Sequence, residues 1–246
     1  MKQSAEAQAE SELFGFISNL PLFRGANKPS MRHVIDKTKF QFQKYAAGER
    51  VLAPGTPCEN MMFVLSGHVR SLVTSVSEDM QVEQQIEPNM VISPESLYGM
   101  SGYYFCTASA YDDEPVGIVQ ISKAEVHNLL LSNSVFMFNY LNMACSRAQI
   151  SSHGVMAMAT GTPLMRLAYL IVAMSQPGGQ EIIVRGLGRE LHAILGITKQ
   201  RYFAMLAKLM TEGVVLCDDP TEIHVINRDY FRNLLIESVQ SHSQSN

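Results

Sequence analysis

The period of the apolar pattern changes at Ser122, and that change limits the fold more than any single motif. From Phe40 to Ser122 the chain runs in short alternating stretches, "FQFQKYAAGERVLAPGTPCENMMFVLSGHVRSLVTSVSEDMQVEQQIEP" among them, broken by turn residues. Gly48, Pro54-Gly55, Ser66-Gly67 and Glu78-Asp79 fall roughly 8–12 residues apart, the spacing of an all-β barrel or sandwich. "VSEDMQV" reads as a hairpin tip and "VGIVQIS" as a last strand. After Ser122 the apolar residues recur three and four apart, as on helices. An α+β fold with its strands gathered before its main helices follows. With 246 residues, 46% of them hydrophobic and 17% charged, the chain can build a core in one large domain or two modest ones.

The helical half opens at "SKAEVHNLLL", where Ser122 stands as N-cap and Glu125 completes a capping box. In the following run Phe138, Leu141, Cys145, Ala148, Ser152, Val155 and Ala159 alternate three and four apart, the a/d seam of a paired helix. Most are small, which lets two such helices approach closely. A homodimer interface on Phe138, Leu141, Cys145, Ala148, Ser152 and Val155 is one reading; a helix packed on its own strands is the other. Gly154, which costs about 1 kcal/mol against Ala inside a helix, marks a candidate bend, and "TGTP" a boundary with Pro163 at a first helical position. "LMRLAYLIVAMSQ" is a helix, and "PGGQEIIVRGLG" a loop and short strand. Helices at 189–195 and 199–212, a turn at Gly196 and the hairpin "GVVLCDDPTEIHVINRDYF" close the pattern. At the other end, residues 1–12 are polar and expected to fray, and "LFGFISNLPLFR" is a short amphipathic helix.

Composition excludes several classes. The longest apolar runs are too short for a bilayer, which needs about 20 residues, and "MKQSAEAQAESELFGF" has no apolar signal region, so a cytoplasmic protein without a membrane partner is expected. Cys58, Cys106, Cys145 and Cys217 are scattered with no C-x-x-C pair, and no metal or cofactor is implied. No nucleophile elbow, P-loop, H-E-x-x-H or paired carboxylates appear, and His33, His68, His127, His153, His192, His224 and His242 stand singly. An enzyme is not expected. Net charge is -4. From 161 to 236, eight Lys/Arg (166, 185, 189, 199, 201, 208, 228, 232) meet seven Asp/Glu (181, 190, 212, 218, 219, 222, 229). Any DNA contact must therefore rest on a local patch.

One such patch is legible. "RELHAILGITKQRYFAMLAKLMTEGVV" has the helix-turn-helix pattern. Leu191, Ile194 and Leu195 form the inner stripe of the first helix, Gly196 permits the turn, and Tyr202, Leu206 and Leu209 point inward from the second. At 100° per residue, Gln200, Ala204 and Ala207 face outward, with Arg201 and Lys208 at one edge and Lys199 nearer the other. Gln pairs bidentately with adenine and Ala touches the thymine methyl, so the face suits an A/T-leaning site. Thr198, Lys199 and Arg201 are candidate phosphate contacts, and Arg189 an anchor from the first helix. The alternative is a helix-turn-helix kept as a folded module for protein partners.

Taken together, "AAGERVLAPGTPCENMMFVLSGHVR" and the helix-turn-helix, in this order, resemble the Crp/Fnr superfamily of bacterial transcription regulators over roughly residues 35 to 235. The resemblance implies an α+β protein with an N-terminal antiparallel, jelly-roll-like β-barrel, a long dimerisation helix and a C-terminal winged helix-turn-helix. It divides the chain into an extension (1–28), an effector barrel (29–125), a helical linker and dimer helix (126–160), a DNA-binding domain (161–236) and a tail (237–246). It implies double-stranded DNA and a small effector as partners, a homodimer that sets two recognition helices about 34 Å apart, and RNA polymerase as a further candidate partner. Gly154 and "TGTP" are candidate hinges.

The sequence departs from the family in two places. Cyclic-nucleotide sensors of that family carry a Glu and, about ten residues on, an Arg that neutralises the cyclic phosphate. Here Glu95 matches the Glu, but the Arg position falls on Tyr104 or Phe105, and no Arg lies between 71 and 146. A buried phosphate without a bidentate cation is costly, which argues against cyclic AMP. Tyr98, Tyr103, Tyr104 and Phe105 either suit a partly apolar ligand, as in family members that sense aromatic metabolites, or complete the barrel core. Tyr140, Met143, Arg147, Ser151 and Ser152 are candidates to face this effector from the long helix, Arg147 as the cation. No cysteine precedes Cys58, so the iron–sulfur cluster of the Fnr branch is not carried over, and a lone His68 is a weak haem ligand. Cys145 is either a redox sensor or a small hydrophobe. In the second helix the family's usual run S-R-E-T-V-S-R is replaced by Thr198, Lys199, Gln200, Arg201, Tyr202, Phe203 and Ala204, so the usual operator is not carried over.

Overall fold

The computed structural model describes residues 13–243, apart from 112, 177 and 189. The chain starts with helix α1 (13–19), a 3-10 turn at Pro21–Phe23 and α2 (Lys28–Lys37). Strands β1 (Phe40–Tyr45), β2 (Arg50–Leu52), β3 (Asn60–Ser66), β4 (Val69–Thr74), β5 (Met80–Ile86) and β6 (Val91–Ile92) follow. Then come a second 3-10 turn (Pro94–Ser96), β7 (Thr107–Ala110), β8 (Val116–Ser122), α3 (Lys123–Ser132), α4 (Ser134–Thr160) and α5 (Pro163–Met174). The last part is β9 (Gln180–Gly186), α6 (Leu191–Ile194), α7 (Lys199–Thr211), β10 (Val215–Leu216), β11 (Glu222–Val225) and α8 (Arg228–Ser243). The architecture is the α+β one: antiparallel strands, a long helix, and a winged helix-turn-helix. The described residues form two compact units, 13–69 with 86–146, and 70–85 with 147–243.

In the first unit an antiparallel sheet runs β1-β8-β3-β6, and β2 pairs with β7. The innermost strand, β8, does not alternate, because neighbours cover both its faces; every residue but its last is buried. Phe63, Val64, Ile118, Val119 and Ile121 are all at 0% exposure. Ser122 caps α3 as expected, its hydroxyl accepting from Glu125 N at 3.2 Å, and Lys123 N donates to Glu59 O at 2.8 Å, which ties the helix start to the head of β3.

The second unit contains a sheet whose order β4-β5-β9-β11-β10 joins the hairpin read as "VSEDMQV" to the strands of the wing. Strand β9 lies antiparallel to β5, with Val82 opposite Val184, and a bulge between Glu83 and Gln85. Helices α5, α7 and α8 pack a common core that includes Leu167, Ile171, Tyr202, Leu206, Val184, Ile223 and Phe231. Helix α8 is a feature the sequence reading missed: residues 237–243, expected as tail, continue a 16-residue helix. Its signals are local. Asn227 Oδ1 accepts from Tyr230 N at 3.0 Å, and Phe231 and Leu235, four apart, are buried at 0% and 7% exposure. The long helix α4 runs through Gly154 unbroken, so the candidate bend is not a break; a methyl added there would meet the Tyr169 side chain at an ordinary 3.8 Å.

Charges lace this sheet. Glu83 receives Arg70 at 2.9 Å and also Arg185, and Arg185 Nε reaches Glu222 at 2.6 Å from the directly opposite position on β11. The Arg185 hydrogen bond, chief among the causes, holds the Glu222 carboxyl below its ordinary range. A depressed carboxylate contributes stability above its unfolded pKa, about 4.3, and loses it as pH falls through the lower folded value. Glu222→Gln is therefore expected to unfold at lower urea than the parent at neutral pH, by about 1 kcal/mol or less, with the gap closing below about pH 4. A gap constant down to about pH 3, measured by urea titration at stepped pH, would remove this role for the ion pair.

Candidate nucleic-acid interface and effector site

The turn between α6 and α7 is held from three sides. Gly196 adopts φ +63°, a left-handed conformation that glycine takes without strain. Thr198 caps α7, accepting from Arg201 N at 3.4 Å. Arg166 on α5 donates through Nη1 to Leu195 O at 3.0 Å and Gly196 O at 3.1 Å, and through Nε to Gly161 O at 3.0 Å. The sequence reading counted Arg166 only as charge. Its one signal was an Arg inside the apolar run "LMRLAYLIVAM", and its partners lie too far along the chain for spacing to name them.

Tyr202, Leu206 and Leu209 are buried at 1%, 2% and 1% exposure, so the opposite face of α7 looks outward. Tyr202 also donates its hydroxyl to Pro220 O at 3.0 Å, tying the helix to the wing, and burial pushes its phenol pKa up. Thr198, Lys199, Gln200, Arg201, Ala204, Ala207 and Lys208 are all exposed on one helix. Lys199 meets Glu190 at 3.1 Å and Lys208 meets Glu212 at 3.7 Å. Exposed pairs like these contribute about 0–1 kcal/mol, so a phosphate can replace either carboxylate. Arg201 forms no ion pair with a described residue. Arg189 lies outside the described residues. The wing tip carries Asp218 and Asp219, which the sequence reading had only counted. Asp219 accepts from Thr221 N at 2.8 Å and Thr221 Oγ1 at 2.7 Å, which lowers its pKa and keeps it charged. A negative tip is repelled by phosphate.

The residues expected at an effector site separate into groups. In the first unit Glu95 sits in the 3-10 turn that follows Ser93, whose φ of +44° is rare for a side chain. Tyr98 meets Tyr140 edge-on, ring centres 5.4 Å apart, and Tyr140 donates to Pro94 O at 3.1 Å. The Tyr98 hydroxyl is buried with no hydrogen-bond partner among the described residues. Tyr104 is core, 2% exposed, donating to Asn60 O at 2.8 Å, and burial raises the pKa of both its phenol and that of Tyr140. Tyr103 and Phe105 point to solvent at 55% and 42% exposure, and Met143 is half-buried. Arg147, Ser151 and Ser152 belong to the second unit, where Arg147 Nη1 donates to Ser175 O at 2.7 Å. The cation near the aromatic group is Lys123, whose Nζ lies 5.0 Å from the Tyr98 ring centre. Sequence spacing hid it, since 25 positions separate the two residues. Among the cysteines, Cys145 is exposed, whereas Cys58 and Cys106 are buried. Among the described residues no cluster of His, Cys, Asp and Glu could hold a metal ion, and no helix is long and apolar enough to cross a membrane.

The site defines a class before any comparison: a sheet-bearing unit with a buried aromatic group, and a winged helix-turn-helix with an outward helix. Among solved structures the chain is similar to the Thermus thermophilus catabolite activator protein, at 19% identity and TM-score 0.49, over 88% of this chain and 99% of that one. It is also similar to FixK2 from Bradyrhizobium japonicum, at 16% identity and TM-score 0.43, over 80% and 97%. The sensor domain of the transcriptional regulator DNR from Pseudomonas aeruginosa covers 58% of this chain and 91% of its own length at 15% identity and TM-score 0.46. No family model and no curated protein sequence matches the chain. Likeness at this level adds no argument to what the elements themselves carry.

The two tyrosines generate a paired expectation. Tyr98→Phe removes a hydroxyl without a partner among the described residues and should leave the unfolding temperature unchanged or raised. Tyr104→Phe removes the shorter of two hydrogen bonds to the Asn60 carbonyl, leaving the Cys58 thiol at 3.7 Å, and should cost about 0.5–1.5 kcal/mol. Equal losses in thermal melts would show that the Tyr98 hydroxyl has a partner after all.

Proposed function

We propose that this chain is a dimeric, effector-responsive DNA-binding transcription regulator of the Crp/Fnr type. The observation that carries the reading is the outward face of α7, exposed from Thr198 to Lys208 on a turn fixed by Arg166. Gln200 reads the base edge, Ala204 and Ala207 allow close approach to thymine methyls, and Thr198, Lys199 and Arg201 hold phosphates. Helix α4 supplies the dimer seam: Phe138, Leu141 and Val155 are exposed at 65%, 43% and 72%, and Cys145, Ala148 and Ser152 continue the stripe. A second copy covers that apolar surface.

The effector in this reading is a small molecule other than cyclic AMP, held in the first unit by Glu95, Tyr98 and Tyr140. Lys123 provides the positive charge that the missing Arg would have supplied. An aromatic ligand with an acidic group meets a ring edge, a phenol donor and an ammonium there. The ligand shifts DNA binding only by its differential affinity for the two states of the dimer. The acidic wing tip at Asp218 and Asp219 favours a second reading, in which the module acts through protein partners.

Selection of bound duplexes from a random pool at two salt concentrations tests the first reading. A palindrome with A/T at the position facing Gln200 is expected. Arg201→Ala should weaken all sequences uniformly and lower the salt slope by about 1, whereas Gln200→Ala should relax one base position at a cost of about 1–3 kcal/mol. If no duplex is enriched with or without metabolite extract, DNA reading fails and the protein-partner reading stands.

A further inference from the structure

A cavity of about 290 Å³ lies in the second unit, away from the outward face of α7. Its walls are mostly polar. Gly178 and Gly179 of the loop before β9 form one side, and Asn227, Arg228, Asp229 and Arg232 at the start of α8 form another. The first N–H groups of a helix have no partner within it, and Asn227 satisfies only that of Tyr230. The first turn of a 16-residue helix, the end where its dipole is positive, thus lines this space together with two guanidiniums.

A third guanidinium stands close by. Arg147 Nη1 and Arg228 Nε both bind fully buried Ser175, the first at its carbonyl (2.7 Å), the second at its hydroxyl (3.0 Å). Burial lowers the pKa of Arg228; Asp229 opposes this, and the like charges of Arg147 and Arg232 add to it. Asp229 meets Arg232 at 3.6 Å and is the carboxylate on the cavity wall. On the cavity wall two guanidiniums, Arg228 and Arg232, meet one carboxylate, Asp229, in a concave and mostly polar site. Beside it, Gln84 is 1% exposed; its Oε1 accepts from Gln176 N at 2.6 Å while its Nε2 has no partner among the described residues. That side chain abuts Gly179 so closely that an added Cβ would come 2.1 Å from Oε1, which explains glycine there.

We infer that this cavity binds the phosphate group of a small molecule, held by Arg228, Arg232 and the amides at the start of α8. A phosphate is the anion whose several oxygens match two forked guanidiniums and a helix N-terminus together. The inference is independent of the effector group around Tyr98 and of the reading face of α7.

Inorganic phosphate serves as the probe, added to the full chain against sodium chloride at equal ionic strength, with amide NMR shifts and thermal melts as readouts. Shifts confined to Gly178–Gln180 and Asn227–Arg232 are expected. Arg232 is largely exposed, so Arg232→Gln should fold normally in chloride yet bind phosphate at least about fivefold more weakly. Scattered shifts, or equal phosphate responses from parent and variant, would overturn the inference. If Arg232→Gln instead lowers duplex DNA affinity by the same factor as phosphate affinity, the group bound is a DNA backbone phosphate and the small-molecule assignment is wrong. Unchanged DNA binding beside lost phosphate binding supports it.

Discussion

Arg166 stands in an otherwise apolar helix and directs its donors at three backbone carbonyls, two of them in the turn that sets the angle between α6 and α7. Carbonyls at the end of a short helix lack intrahelical donors, and satisfying them with a charged group contributes about 1.5–3 kcal/mol per bond. The outward face of α7 has meaning only if that angle is fixed. The inner stripe of Tyr202, Leu206 and Leu209 decides which side of the helix is buried, while Arg166 decides where the helix starts. The hydroxyl of Tyr202 on Pro220 then aligns the wing with the same helix.

Electrostatics on the outward face of α7 and the wing are balanced rather than strongly positive. Lys199 and Lys208 have acidic neighbours, Arg201 has none among the described residues, and the wing tip is negative. A surface of this kind gains little from nonspecific attraction to phosphate, so the proposed DNA reading would draw on fit to base edges. The first unit shows a related economy. There an exposed ammonium, that of Lys123, stands against the face of the Tyr98 ring.

Much of this was legible in the sequence where the physics is local. The switch of period at Ser122, the cap on α3, the Gly196 turn and the inward stripe of α7 are set by neighbours a few residues apart, and the strands and helices formed where those signals stood. Which of the candidate effector residues share a neighbourhood was legible only in part. Glu95, Tyr98 and Tyr140 come together, but alternation along an irregular segment did not tell core Tyr104 from exposed Tyr103 and Phe105, and it did not bring Lys123 to Tyr98. Arg147, read as an effector cation, has its guanidinium on Ser175 in the other unit. Helix α8 lies beyond the wing, and its sequence signals are the Asn227 cap and the spacing of Phe231 and Leu235.

The pairing of β9 with β5 also bears on how the chain keeps from sticking to its neighbours. A strand edge with bare N–H and C=O groups is a template for another chain, and β9 has β11 on one side and β5 on the other. The bulge opposite Gln84, where Glu181 takes φ +45°, pins that pairing, since sliding by one residue would carry the strained position with it. Separated from the β4–β5 hairpin, the winged module would present β9 as an open edge rich in Ile and Val. The hairpin is thus a guard against strand-to-strand aggregation, built from a segment that lies more than ninety residues earlier in the chain.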